Sequence, residues 1–290
     1  MKKIGLVVNL QKQQAVDEVK RVATLAVGMG FELYADAVTA KLSPAINVGD
    51  VKLFSHLGVE CVVVLGGDGT MLDASHQLAG QGLPMMGLNI GSLGYLTSVE
   101  NRSFSEALQQ LREDRFTVGR RTALGIRIIR KDGTVDVLSD ALNDAVVNHG
   151  ARARAVELEL LVDERPIADF LCDGIIVATP TGSTAYSLSS GGPIVLPDAE
   201  VLVVNVICPH TLTFRPLVVR DTTRVAIRVV QCPVPMVVSS DGRDNATLNV
   251  GDCVEVARSN DDVPVIELSG YNPCDVLRRK LCWGHSARSK

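Results

Sequence analysis

Aromatic side chains are scarce: one Trp, four Tyr and six Phe, 4 % of 290 residues. Any core must therefore be filled by Val, Leu, Ile and Ala, and a 46 % apolar content is enough to build one of ordinary size. No run approaches the ~18 apolar residues of a membrane span. The opening MKKIGLVVNL is too short for a signal h-region before Asn9, Gln11 and Lys12 follow. No membrane partner is expected, and the expected compartment is the cytoplasm. Charge of one sign is also lacking. With 29 basic and 33 acidic residues the net charge is −4, which gives no general attraction to nucleic acid, so a small anion would need local donors. The seven cysteines (Cys61, Cys172, Cys208, Cys232, Cys253, Cys274, Cys282) include no CxxC pair and are odd in number. That argues against a disulfide framework or zinc site and for reduced, packed thiols. Two phosphate-binding signatures are missing as well. No GxxxxGK[ST] occurs, and Gly67–Leu72 matches only the start of GxGxxG.

What is present is a change of texture near residue 120. Before it, strand and helix signals alternate. Ile4–Val8 reads as a strand, Gln14–Met29 as an amphipathic helix ending at Gly28 and Gly30, and Glu32–Tyr34 as a weak strand. Val51–Leu57 reads as a helix. Cys61–Leu65 is a continuous apolar run suited to a strand buried on both faces. Met71–Ala79 reads as a helix, Pro84–Asn89 as a strand and Ser103–Arg112 as a helix. This alternation predicts a doubly wound α/β domain over 1–120. From Arg121 short β-rich runs follow, among them the hairpin signal Lys131-Asp132-Gly133-Thr134 and the last run, Val263–Leu268. They predict a mostly-β domain over 121–270. The tail, Asn272–Trp283, turns helical again and is expected to return to the first domain, giving that domain a second piece at 271–290.

Two segments carry chemistry. Gly66-Gly67-Asp68-Gly69-Thr70 lies between a buried strand and a helix, at the carboxyl end of a strand, where open α/β sheets bind ligands. Its glycines allow close backbone approach, and the N–H groups of the following helix can receive phosphate oxygens. Asp68, the one charged group of the loop, can accept a proton from a hydroxyl or hold a magnesium ion. A plain strand-to-helix turn with Asp68 as a cap is the alternative. The second segment is Asp173–Pro193. Eight of the twelve residues from Thr179 to Ser190 bear hydroxyls, which offers donors to a phosphate-bearing ligand without net charge. Here the alternative is a loop satisfying its own backbone.

These segments, with Asn143-Asp144, Asn89–Leu96, Cys208–Leu212, Phe214–Leu217, Ser240-Asp241-Gly242 and Leu281–Gly284, resemble the bacterial-type NAD kinase family in order along nearly the whole chain. The glycine loop alone is shared with lipid kinases and phosphofructokinases; the 173–193 block is specific. The resemblance implies ATP-dependent phosphorylation of the 2′-hydroxyl of the adenosine ribose of NAD. It implies an α/β domain of the NAD kinase/diacylglycerol kinase kind and a β-rich domain, substrate in the cleft between them, and a homodimer or homotetramer. By position, Asp68 is the base on the ribose hydroxyl, and Gly66, Gly67, Gly69 and Thr70 cradle ATP phosphates. Gly69 also stands beside NAD. Asn143 and Asp144 hold the ribose, and Asp173 a carboxamide or adenine amino group. Thr184, Ala185, Tyr186, Ser187, Leu188 and Ser189 line the dinucleotide pocket, with Tyr95 at a commonly aromatic position. Asp144 replaces the usual Glu, one methylene shorter. Leu171 stands where some members carry Arg, leaving phosphate contact to Arg154 or Arg152. With few cations expected near the loop, Mg²⁺ is expected to be required. A lipid kinase of the diacylglycerol type and a silent nucleotide sensor are the rival readings; the Thr179–Gly192 block and the lack of an apolar acceptor groove signal argue against the first, and the retained Asp68 against the second.

Overall fold

The computed structural model of the chain describes residues 1–91, 94–97, 99–100, 103–150 and 155–283. The chain divides into two compact units, Met1–Arg120 with Val263–Lys290, and Arg121–Asp262.

The first unit is built on one sheet. Its strands run in the order Ile46–Val48, Glu32–Ala35, Lys3–Val8, Cys61–Gly66, Met85–Asn89, Val263–Leu268 and Phe116–Arg121, and Val99–Glu100 also pairs with Met85–Asn89. The pairings from Ile46–Val48 through Met85–Asn89 to Val263–Leu268 are parallel. Cys61–Gly66 is buried at every position, as its uninterrupted apolar sequence requires of a central parallel strand. The helices Ala15–Gly28 and Phe104–Arg112 bury Val19, Val22, Ala23 and Ala26, and Phe104, Leu108 and Leu111, in a core shared with Leu6, Val63, Leu65 and Leu88. The strand order reverses between Lys3–Val8 and Cys61–Gly66. Their carboxyl ends therefore form the topological switch point, where such sheets open a crevice.

Two expectations need correction. Val51–Leu57 is not a helix: only Val51–Leu53 forms a 3₁₀ turn, with the Asp50 carboxylate accepting from the Lys52 N–H at 2.9 Å. The buried pair Val51 and Phe54 is spaced by three, the 3₁₀ period, and Gly58 at φ +73° ends the turn. Val263–Leu268, the last run of the β-rich sequence, belongs to the first sheet, where Val265 pairs with Met85. Its apolar residues fit a parallel strand as well as an antiparallel one, and Ile266 is buried with the first core. The tail helix Pro273–Lys280 follows in the same unit, capped by the Asn272 side chain.

The second unit holds two six-stranded sheets. One runs Leu217–Arg220, Val201–Ile207, Gly174–Ala178, Asp144–Asn148, Met236–Ser240, Asp244–Leu248. The other runs Arg165–Cys172, Val156–Val162, Val225–Gln231, Cys253–Arg258, Leu124–Ile129, Val135–Ala141. The expected hairpin is present, with Ile129 opposite Val135. One core joins both sheets, with Val147, Ile175 and Val177 packed among Leu158, Ile126 and Val254. Gly174–Ala178 is buried on both faces: Ile176 and Ala178 face a second cluster with Val146 and Val203, on which Val195 packs. That outer layer seats the 179–196 segment. Among the described residues no helix is long and apolar enough to cross a membrane.

Candidate active site

In the first unit the glycine loop leaves Cys61–Gly66 and enters the helix Asp68–Gln77 directly. The helix starts three residues earlier than its apolar pattern suggests, because Gly67 can serve as the extended N-cap. Asp68 therefore does not cap Met71. Instead its carboxylate accepts from the Tyr95 N–H on Oδ2 and the Leu96 N–H on Oδ1, both at 2.9 Å, and from Lys280 Nζ on Oδ2 at 3.0 Å. Burial pushes the carboxyl up, but the two backbone donors and the Lys280 ammonium outweigh it and hold Asp68 below the ordinary carboxylate range. The result is a fixed, ionised carboxylate, about 30 % exposed, at the positive end of a ten-residue helix. A Cβ on Gly94 would overlap Asp68 Oδ1, well inside 3.0 Å, so the absence of a side chain there makes room for the carboxylate. Gly66 has a similar duty: a Cβ there would strike the Thr70 hydroxyl. Tyr95 is buried, with Lys280 Nζ 5.7 Å from its ring centroid.

Sequence reasoning left this loop short of cations, and the structure corrects that. Lys280, from the tail helix, sits on Asp68. Lys12 Nζ lies where side chains on Gly67 and Gly91 would come within 3.6 Å of it. Lys280 is 212 residues from Asp68, so no local pattern could reveal it. Lys12 follows a parallel strand by four residues, and its place at a carboxyl edge was the available signal.

In the second unit Asn143-Asp144 is held by Asp241, which the sequence marked within Ser240-Asp241-Gly242 without giving it a role. The Asp241 carboxylate accepts from the N–H groups of Leu142, Asn143 and Asp144 at 2.8, 2.8 and 3.1 Å. The Asn143 carbonyl accepts from the Thr179 N–H at 2.9 Å. Gly182 lies so close to that carbonyl that a Cβ would collide with the Asn143 backbone. Asp144 is 5 % exposed. Burial and then the Asp241 charge push its carboxyl up to about 7, against the opposing N–H of Tyr186.

The hydroxyl-rich segment forms a 3₁₀ turn, Gly182–Thr184, and a short helix, Tyr186–Ser189, broken at Ala185. Several hydroxyls serve the fold. Thr179 donates to the Leu142 carbonyl at 2.6 Å and Ser183 to the Pro180 carbonyl at 2.6 Å. Thr184 donates to the Thr181 carbonyl at 3.1 Å, and Ser187, fully buried, accepts from Asn205 Nδ2 at 3.2 Å. Tyr186 and Ser189 are exposed, and Ala185 and Leu188 are half-buried. The structure thus brings Asn143, Asp144 and Tyr186 together. Asp173 stands apart from that cluster's hydrogen bonds, with His149 Nε2 at 3.7 Å and the Cys208 thiol bonded to it. Leu171 is exposed. Arg154 and Arg152 lie outside the described residues. Burial pushes the Cys61 and Cys172 thiols up to about 12, and all seven cysteines are free.

Solved structures share the fold. A yeast NADH kinase complexed with NADH superposes with TM-score 0.89 at 23 % identity, covering 100 % of this chain and 90 % of that one. An NAD kinase from Archaeoglobus fulgidus in complex with ATP gives TM-score 0.77 at 24 % identity, covering 97 % and 98 %. Family models match both parts of the sequence: the ATP-NAD kinase N-terminal domain over residues 4–116 and the ATP-NAD kinase C-terminal domain over residues 142–268. Fold and site therefore define a phosphotransferase of the α/β-plus-β class. Curated relatives narrow this further. The NAD kinase of Symbiobacterium thermophilum is 39 % identical over 288 residues, covering 97 % of this chain and 99 % of the relative. That of Syntrophotalea carbinolica is 35 % identical over 289 residues, covering 98 % and 99 %. The chain belongs to the NAD kinase family.

Proposed function

We propose that Asp68 orients and deprotonates the hydroxyl acceptor in this chain's reaction, the ATP-dependent phosphorylation of the 2′-hydroxyl of the adenosine ribose of NAD, which yields NADP and ADP. One observation carries the assignment: Asp68 is ionised, held by two backbone N–H groups and Lys280, and placed at the mouth of a glycine loop at the switch point. Phosphoryl transfer depends mainly on placement and charge stabilisation, and a carboxylate fixed in this way needs no reorganisation before it accepts a proton.

The remaining roles divide by unit. Gly66, Gly67, Gly69 and Thr70 receive ATP phosphates at the start of the Asp68–Gln77 helix, and Tyr95 and Gly69 lie beside NAD. In the second unit Asn143 and Asp144 hold the ribose, their backbone fixed by Asp241. Asp144, carrying a proton at and below about pH 7, can donate a hydrogen bond to a ribose oxygen. Ala185, Tyr186, Leu188 and Ser189 line the dinucleotide, with Thr184 and Ser187 bracing that wall. Asp173 takes an amide or amino group, and Arg154 a phosphate.

ATP is the donor. No group of three His, Cys, Asp or Glu side chains forms a metal cage among the described residues, and both Asp68 oxygens already accept hydrogen bonds. The residues present thus suit a divalent cation carried in on the phosphates rather than a resident ion, and Mg²⁺ is expected as the companion of ATP. We expect a homodimer or homotetramer in the cytoplasm.

The test is NADP formation from NAD, ATP and Mg²⁺. Asp68→Asn keeps one acceptor oxygen but loses the charge and the base, and is expected to lose about 10²–10⁴-fold in kcat while staying folded, with a lowered melting temperature because the bonds to Tyr95, Leu96 and Lys280 no longer all form. Full activity in that variant would remove Asp68 from the role.

A further inference from the structure

The switch point has two sides, one on each of two neighbouring parallel strands. The Gly66–Thr70 loop follows Cys61–Gly66. The other side is the loop after Lys3–Val8, the neighbouring parallel strand, with Val8 opposite Leu65 and the Asn9 N–H bonded to the Leu65 carbonyl at 3.0 Å. That loop carries Lys12, which opens the turn into the helix Ala15–Gly28 and is half-buried. Its Nζ donates to the Ile90 carbonyl at 2.6 Å. Ile90 itself donates its N–H to the Gly66 carbonyl at 3.0 Å. The ammonium therefore lies over the glycine loop, next to the positions that side chains on Gly67 and Gly91 would occupy.

Three features set Lys12 apart from a simple tie. An ammonium has three donors, and Ile90 uses one. Among the described residues no carboxylate pairs with Lys12, whereas Lys280 is committed to Asp68. Both glycines beside it lack the side chains that would fill the space around it. An uncompensated cation over a glycine loop, at the carboxyl edge of an open sheet, matches a phosphate group in charge and geometry.

We propose that Lys12 binds a phosphate of the ATP donor, completing from the neighbouring strand the cradle begun by Gly66–Thr70. The proposal rests on the reading of that loop as the ATP-phosphate site. It makes Lys12 a donor-binding residue rather than an acceptor-binding one, so its loss must separate the two substrates.

The experiment is steady-state kinetics of the full chain with Lys12→Gln and Lys12→Arg, varying ATP and NAD in turn, with ADP and adenosine binding measured alongside. Gln keeps a donor for the Ile90 carbonyl and drops the charge. A lost charge-assisted bond of ~1.5–3 kcal/mol corresponds to about a 10- to 100-fold effect. K12Q is expected to raise the KM for ATP by that factor, to move the KM for NAD by less than about twofold, and to weaken ADP binding while leaving adenosine binding unchanged. K12R is expected to recover most of the loss. An unchanged KM for ATP in K12Q overturns the proposal. So does an equal rise in both KM values, or a K12Q chain that fails to fold while K12R is normal, since either marks Lys12 as a loop tie. No NADP from the wild-type chain removes the underlying reading and the proposal with it. Normal wild-type turnover with an unaltered ATP dependence in K12Q removes the proposal alone.

Discussion

Asp144 is buried and Asp68 half-buried, and their surroundings move the two carboxyls in opposite directions. Asp68 gains two backbone donors and a lysine and stays ionised. Asp144 gains the Tyr186 N–H but faces burial and the charge of Asp241, and rises to about 7. The consequences for stability follow from linkage. The folded chain holds the Asp144 proton more tightly than the unfolded chain, whose carboxyl titrates near ~3.9. Its contribution is full below that value and is lost as pH rises through about 7. Asp144→Asn removes the term, so relative to wild type it should gain stability between pH 5 and 8, by an amount on the order of a few kcal/mol. Urea denaturation at three pH values measures this; parallel pH profiles for the two proteins would refute it. Asp68 contributes in the opposite sense, with stability present above the unfolded value and lost as pH falls through its depressed one. Gly94 gives a second residue-scale prediction. Gly94→Ala places a methyl group on the Asp68 carboxylate, which is the end of a side chain and can swing away. The expected outcome is a fall in kcat of about tenfold or more, for a stability cost of about 1–3 kcal/mol. A kcat equal to wild type would show that the carboxylate need not be held where Gly94 leaves room for it.

At the scale of elements, what sequence could show depended on whether the cause was local. Cys61–Gly66 was legible because five apolar residues in a row suit a strand buried on both faces. Val51–Leu57 was not, because its two buried residues, Val51 and Phe54, fit a single 3₁₀ turn as well as a helix. Asp144–Asn148 drew no strand assignment: it is only five residues long, and its burial comes from Gly174–Ala178 and Met236–Ser240 on either side. The 179–193 block was legible as a ligand segment, but its division of labour was not. Hydroxyls at Thr179, Ser183 and Ser187 look the same in sequence as those at Tyr186 and Ser189, yet the first three bond within the fold. Gly182 admits no side chain, because a Cβ there would collide with the Asn143 carbonyl, a backbone group that cannot rotate aside. Gly182→Ala should therefore cost about 1–3 kcal/mol and raise the KM for NAD through Asn143, with the KM for ATP unmoved. Thermal denaturation and the two KM values check it, and a rise confined to ATP would contradict the assignment of Asn143 to NAD.

At the scale of the whole molecule, the base of the first unit depends on the far end of the described chain. Val263–Leu268 fills the next-to-last place in the first sheet's strand order, between Met85–Asn89 and Phe116–Arg121, and Pro273–Lys280 then delivers Lys280 to Asp68. Strand and helix have separable duties. Ending the chain after Asp262 removes an internal strand and should prevent the first unit from folding. Ending it after Tyr271 keeps the strand and removes the helix with Lys280. Asp68 then loses one of the groups that hold its carboxyl low, so its pKa must rise, and the acid limb of kcat must move to higher pH. Lys280→Ala should reproduce that displacement in direction with a smaller loss of melting temperature, because Val276 and Leu277 remain packed. Lys280→Arg, which keeps the charge, should restore much of the profile. The decisive comparison is the acid limb in wild type and in Lys280→Ala. If it does not move while kcat at its plateau falls, Lys280 acts on the transferring phosphoryl group and not through Asp68. If it moves upward and the plateau is kept, the tail helix sets the ionisation of a base that lies 212 residues earlier in the chain.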